Sequence, residues 1–196
     1  MSVVRLFVEG KADRNFISQY VKSLDLDEIE IEPLGGRDLS NFIANKEAQF
    51  DTALADDMTV LVVLDADDDW ESRKELVFNF LRPYVKNNFE QVFLFPDDQS
   101  NGCLEDLLLD LIPKEKRAIL NCLKSASDCV EQIGFRGMDK KDNVYQYVSS
   151  QLTGAQMGNR SKHANESRRS YSDSTVWNLK SEALQPLKAF LKKHLA

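Results

Sequence analysis

Residues 60–69 read VLVVLDADDD, five apolar residues running directly into a cluster of carboxylates. An unbroken apolar run of this length is the signature of a strand buried on both faces, as in a parallel sheet covered by helices on each side. The carboxyl end of such a strand has to emerge where water or a cation solvates the charges, which places Asp65 and Asp67 at a strand terminus. Alternation along an extended chain puts residues two apart on the same side, so the two carboxylates repel each other unless something positive lies between them. A divalent cation answers that requirement.

The rest of the N-terminal half repeats the same grammar. Residues 3–8 read as a strand ending at Glu9 and Gly10, and Phe16, Ile17, Tyr20, Val21 and Leu24 then recur at helical spacing. A short strand is expected at 28–32, a tight turn at Gly35 and Gly36, and a helix from Leu39 to about Leu54. The buried strand at 59–64 is followed by a helix from Trp70 to about Asn87 and by a strand at 91–95, stopped by Pro96. Alternating strands and helices predict an α/β fold, a Rossmann-like, mostly parallel four-stranded sheet flanked by helices. After Pro96 the texture is helical, with helices expected at 104–112, 113–133, 140–152 and 177–195. Residues 153–174 are rich in Gly, Ser, Asn and Arg without apolar periodicity and read as a long flexible loop or disordered segment. The expected organisation is an α/β core over 1–112 and a helical C-terminal extension over 113–196 packed on it.

Bulk properties narrow the function classes. A net charge of −7 argues against a general nucleic-acid coat but leaves room for local basic patches and metal ions. Three cysteines without CxxC spacing and only two histidines supply no plausible zinc set, so the thiols read as reduced packing residues. No apolar run approaches a membrane span, and the strand-like VVRLFV near Met1 is too short for a signal sequence, so a soluble cytoplasmic protein is expected.

In a parallel sheet every strand's carboxyl end meets the same edge, and neighbouring strands lie about 4.8 Å apart. Glu9 therefore stands near Asp65 and Asp67 if the first and third strands are neighbours, and Glu105 just past the fourth strand can join them. Carboxylates packed in this way favour Mg²⁺ or Mn²⁺, which take oxygen ligands.

VEGKADRNFI at 8–17, the glycine pair after the second strand and LDADDD at 64–69 together resemble a Toprim domain, and PDDQSNGCLEDLL at 96–108 is similar to small bacterial Toprim-related proteins of uncharacterised function. More distantly the chain resembles the Toprim half of the overcoming-lysogenization-defect nucleases. The resemblance implies metal-dependent phosphodiester chemistry on DNA or RNA, most simply a nuclease. It implies Glu9 as general acid/base or metal ligand, Asp65 and Asp67 as metal ligands, and Glu105 as the extra acid of the nuclease branch. The larger nucleases carry an ATPase, and no segment of this sequence resembles one, so activity is expected to be either autonomous or dependent on a partner chain.

Further residues are assigned by position. Lys11, Gly35, Gly36 and Arg37 are candidate phosphate contacts, as are Arg168 and Arg169 in a basic island at 159–169. Asp13 is read as favouring the N-terminus of the first helix, and Asp68 and Asp69 as capping the helix at Trp70. A non-catalytic module that binds metal, nucleic acid or protein is the alternative from a different class. A haloacid-dehalogenase-type reading fits poorly, because this DxD follows the third strand rather than the first and Asp69 stands where a Thr or Val is expected.

Overall fold

Three of the four strands alternate their apolar side chains between two separate cores. In the computed structural model, which describes residues 4–26, 29–35, 39–84 and 89–195 and, within them, side chains outside 39–46 and 155, Leu6, Val8, Leu61, Val63, Phe93 and Phe95 face one core. Phe7, Val60, Val62, Leu64, Val92 and Leu94 face the other. The strands are β1 (Val4–Val8), β2 (Ile29–Pro33), β3 (Thr59–Asp65) and β4 (Val92–Phe95), all parallel, in the order β2-β1-β3-β4. The predicted four-stranded α/β sheet is thus observed, with β1 and β3 as direct neighbours.

Helices α1 (Lys11–Ser23), α4 (Leu104–Asp110), α6 (Lys140–Gln151), α7 (Arg160–Ala164) and α8 (Gln185–Leu195) contribute to the first core. Helices α2 (Leu39–Ala55) and α3 (Trp70–Leu81) cover the other face. Helix α5 (Ala118–Gln132) is mostly exposed and packs beside α6 through Ile119 and Leu120. Asp69 caps α3 as expected, its carboxylate accepting the Ser72 N–H at 3.1 Å. That helix ends at Leu81, followed by a turn, and 85–88 lie outside the described residues.

Three expectations need correction. The final helix starts at Gln185 and not at Trp177, because Ser181 opens a short 3₁₀ turn by accepting the Ala183 N–H, and Trp177 lies buried upstream of it. Cys122 and Cys129 are exposed free thiols on α5, so they are not packing residues; Cys103 is half-buried. Residues 153–174 are not a structureless loop: they contain a 3₁₀ segment (Gly154–Asn159), α7 and buried Ala164, Arg169 and Tyr171.

What orders that last segment is a set of side-chain bonds to α1, 150 to 154 residues away in sequence. Asn15 Nδ2 donates to the carbonyls of Glu166 (3.0 Å) and Arg169 (2.8 Å), Gln19 Nε2 donates to Arg169 O (2.9 Å), and the Tyr171 N–H donates to Gln19 Oε1 (2.8 Å). A polar composition carries no trace of such long-range partners. Gln19→Ala removes two of these bonds, leaves the Tyr171 N–H unpaired and leaves the Arg169 carbonyl only its bond from Asn15, at a cost of ~1–3 kcal/mol. Chemical denaturation should register that loss, and limited proteolysis should cut the variant faster within 153–174.

Candidate functional site

With the order β2-β1-β3-β4, successive connections leave β1 in opposite directions, which makes the carboxyl ends of β1 and β3 the topological switch point where open α/β sheets bind ligands. The residues at that point are Glu9 and Gly10 after β1 and Asp65 at the end of β3. A cavity of about 170 Å³ opens there, lined chiefly by Glu9, Lys11, Asp13, Asp65, Glu105 and Lys141, with Glu166 at its edge.

Each acid is placed by local structure. Asp13 sits in the first turn of α1 and accepts the Gly10 N–H at 2.9 Å, the helix-start role expected of it, yet it is only 7% exposed and faces the cavity. Asp65 accepts the Leu104 N–H at 2.9 Å, tying the end of β3 to the first turn of α4, which also buries Glu105. The Gly35 N–H donates to Glu9 O at 3.0 Å, and Gly35 has φ +84°, a turn that glycine adopts without strain. The Gly35 turn therefore flanks Glu9. Gly36 and Arg37 lie outside the described residues.

Burial and mutual repulsion set the electrostatics. Burial, followed by the charges of Asp13 and Glu9, pushes the Asp65 carboxyl up to about 8, against the opposing Leu104 hydrogen bond. Burial, with Glu9 and Glu105 adding to it, pushes Asp13 up to about 7. Glu9 is raised by burial and by Asp67, and Arg73 and Lys141 act against the rise. The Cys103 thiol is pushed up to about 12 by burial and by Glu105 and Asp65, which keeps it protonated and non-nucleophilic.

Asp67 departs from the alternation argument. Extended backbone stops at Asp65; Asp67 has φ +56° and exchanges two 2.8 Å backbone hydrogen bonds with Gly102. Its side chain is 62% exposed and lies 3.7 Å from Arg73 Nη2, at the rim and not beside Asp65 in the cavity. Arg73 also lies 3.8 Å from Glu9 and donates through Nε to Asp65 O at 3.3 Å. Among the described residues no group of three or more His, Cys, Asp or Glu side chains is gathered so as to hold a metal ion. The ready-made centre expected from Glu9, Asp65, Asp67 and Glu105 is therefore not present in this arrangement.

The donor chemistry nonetheless suits a hard cation. Glu9 Oε2 is buried without a hydrogen-bond partner, and every acidic group around the cavity offers oxygen.

Sequence reasoning missed the cations. Arg73 stands in the first turns of the helix that follows the DxD, a position from which a long side chain reaches back over the strand end, so a signal existed. Lys141 lies 3.7 Å from Glu105 and 3.8 Å from Glu166, and nothing in the local sequence of α6 marks it. Of the expected phosphate contacts, Lys11 lines the cavity and is exposed, and Arg168 is exposed. Arg169 is 4% exposed and donates to Ala164 O at 2.9 Å, which places it inside the protein and out of reach of a substrate.

The fold and crevice define a class: Rossmann-like α/β proteins with a parallel four-stranded sheet, consistent with a Toprim-like fold and with metal- or nucleic-acid-binding modules in general. The chain belongs to the family described as "Protein of unknown function (DUF3226)", which it matches over residues 3–196. No curated protein and no solved structure matches it. Among the described residues no helix is long and apolar enough to cross a membrane.

Proposed function

We propose that this protein is a Toprim-type, Mg²⁺- or Mn²⁺-dependent phosphodiester enzyme acting on nucleic acid, most simply a nuclease. The observation that carries the reading is the convergence of Glu9, Asp13, Asp65 and Glu105 on one cavity at the switch point, with Glu9 Oε2 buried and unbonded. Glu9, Asp65 and Glu105 would hold the cation, with Asp67 swinging in from the rim. A cation bound there supplies charge neutralisation at the phosphoryl oxygens and acidifies the attacking water.

The chain's own groups divide the remaining work. Glu9, with its carboxyl raised above the ordinary glutamate range by burial, is suited to move a proton as general acid/base. Lys11 of α1 and Lys141 of α6 line the cavity and offer ammonium groups to the phosphate. Arg73 holds Glu9 and the Asp65 carbonyl in place. Gly35 leaves open space beside Glu9 for a backbone to pass, and Arg168, with Gly36 and Arg37 on the strength of sequence alone, extends the phosphate path.

The test is cleavage of supercoiled plasmid, single-stranded DNA and RNA in Mg²⁺ or Mn²⁺, comparing wild type with identically purified Asp65→Ala. Activity present in wild type, removed by chelator and lost in the variant is expected. That no such cluster is gathered among the described residues leaves room for a second reading, a binding module without turnover. Metal and nucleic-acid binding with no cleavage in any condition would select it.

A further inference from the structure

We propose that the crevice accepts a single-stranded or frayed nucleic-acid segment and turns away an intact duplex, an inference that rests on the phosphodiester function proposed above. Its acidic floor is deep: Asp13 and Glu105 are 7% and 6% exposed. The cavity above them is small, about 170 Å³, below the ~300–1,000 Å³ typical of pockets that enclose a whole ligand.

The walls come from three directions and are tied together. The first turn of α1 supplies Lys11 and Ala12, α6 supplies Lys141, and the segment 165–171 supplies Glu166. Lys141 spans from Glu105 on the floor to Glu166 on the rim, at 3.7 and 3.8 Å. Asn15 and Gln19 fasten the Glu166 segment to α1, so this wall is held by the body of the protein.

A duplex is stiff, with a persistence length of about 50 nm, and does not bend one phosphate down into so small and recessed a cavity while both neighbouring nucleotides stay paired. A single strand can turn one phosphate inward. A phosphate that reaches the recessed acids has to leave the regular path of the backbone, which a single strand allows without breaking base pairs. Lys11 and Lys141, exposed on the α1 and α6 walls, then meet phosphates that flank the inserted one.

The experiment uses the full chain with end-labelled oligonucleotides: single-stranded DNA, single-stranded RNA, a blunt DNA duplex, and the same duplex with a single-stranded overhang. Cleavage is followed in Mg²⁺ and Mn²⁺, and binding in Ca²⁺ by fluorescence anisotropy of the single strand with unlabelled duplex as competitor. Cleavage of the single strand and overhang is expected at least about tenfold faster than of the blunt duplex, because unpairing must come first, with the duplex a poor competitor. The DNA and RNA arms decide which strand is preferred. Glu166→Ala, which removes one exposed wall residue, is expected to narrow the difference, with a thermal melt verifying the fold. Equal cleavage and equal binding of duplex and single strand, or discrimination unchanged in Glu166→Ala, would overturn the inference and leave the proposed function standing. Absence of metal-dependent cleavage and binding for every substrate would overturn both.

Discussion

In chelator, the melting temperature is expected to fall as the pH rises from about 4 to about 8, and Mg²⁺ or Mn²⁺ is expected to cancel much of the fall. An aspartate in the unfolded chain titrates near ~3.9, whereas Asp65 is pushed up to about 8 and Asp13 to about 7. Between those limits the folded state holds protons that the unfolded chain has already released, so each rise in pH favours unfolding. The stability contributed by the protonated acids is fully present below the unfolded pKa and gone above the folded one. The total is on the order of a few kcal/mol, since the acids are coupled and share the same repulsion.

A cation binding the ionised cluster reverses the effect, by ~2.7 kcal/mol at a hundredfold excess over its Kd. Asp65→Asn keeps an oxygen that accepts the Leu104 N–H but removes one buried charge. The variant should therefore melt higher than wild type near pH 8 in chelator, show a shallower pH slope and lose the response to Mn²⁺. Thermal melts across this range, with chelator or with Mn²⁺, measure all three. A wild-type melting temperature that climbs through the window in chelator, or an undiminished Mn²⁺ shift in Asp65→Asn, would remove the cluster from consideration as a cation site.

Trp177→Ala is expected to be the most destabilising single change in the C-terminal half. Trp177 is 1% exposed, its ring centroid lies 5.6 Å from Tyr147 and 5.3 Å from Tyr171, and its Nε1–H donates to Ser170 O at 3.1 Å. Deleting a buried Trp side chain costs ~3–5 kcal/mol, a large part of the 5–15 kcal/mol that stabilises an ordinary domain. The same core contains Leu6, Val8, Phe16 and Tyr20 from the N-terminal half and Tyr147, Leu187 and Leu191 from the extension. We therefore expect one cooperative transition in calorimetry, shifted down as a whole. Trp177→Phe, which keeps an aromatic ring but loses the N–H, should fall between the two. Two separate transitions, with only the later half of the chain affected, would show that 113–196 folds as a separate unit.

These expectations draw on different levels of the chain. Local text was enough for the elements near the crevice: the apolar run before Asp65, the helical spacing from Phe16 to Leu24, and Asp69 before Trp70 each state their structure within a few residues. Because strands in a parallel sheet all end at one edge, the meeting of Glu9, Asp65 and Glu105 was also legible once β1 and β3 were taken as neighbours. The failure at Asp67 is of another kind. Two-residue alternation holds only while the chain is extended, and pairing with Gly102, distant in sequence, turns the backbone at that residue.

Sequence by itself determined the parallel α/β sheet and the acids that reach its carboxyl edge, since hydrophobic periodicity and chain direction are properties of short segments. Tertiary structure alone decided that Asp13 is a buried member of the cluster, that Lys141 is one of its countercharges, that Glu166 forms a wall and that Arg169 is inside. Those outcomes depend on which distant groups remove water from a side chain and which oppose its charge. Neither is encoded in the residues beside it.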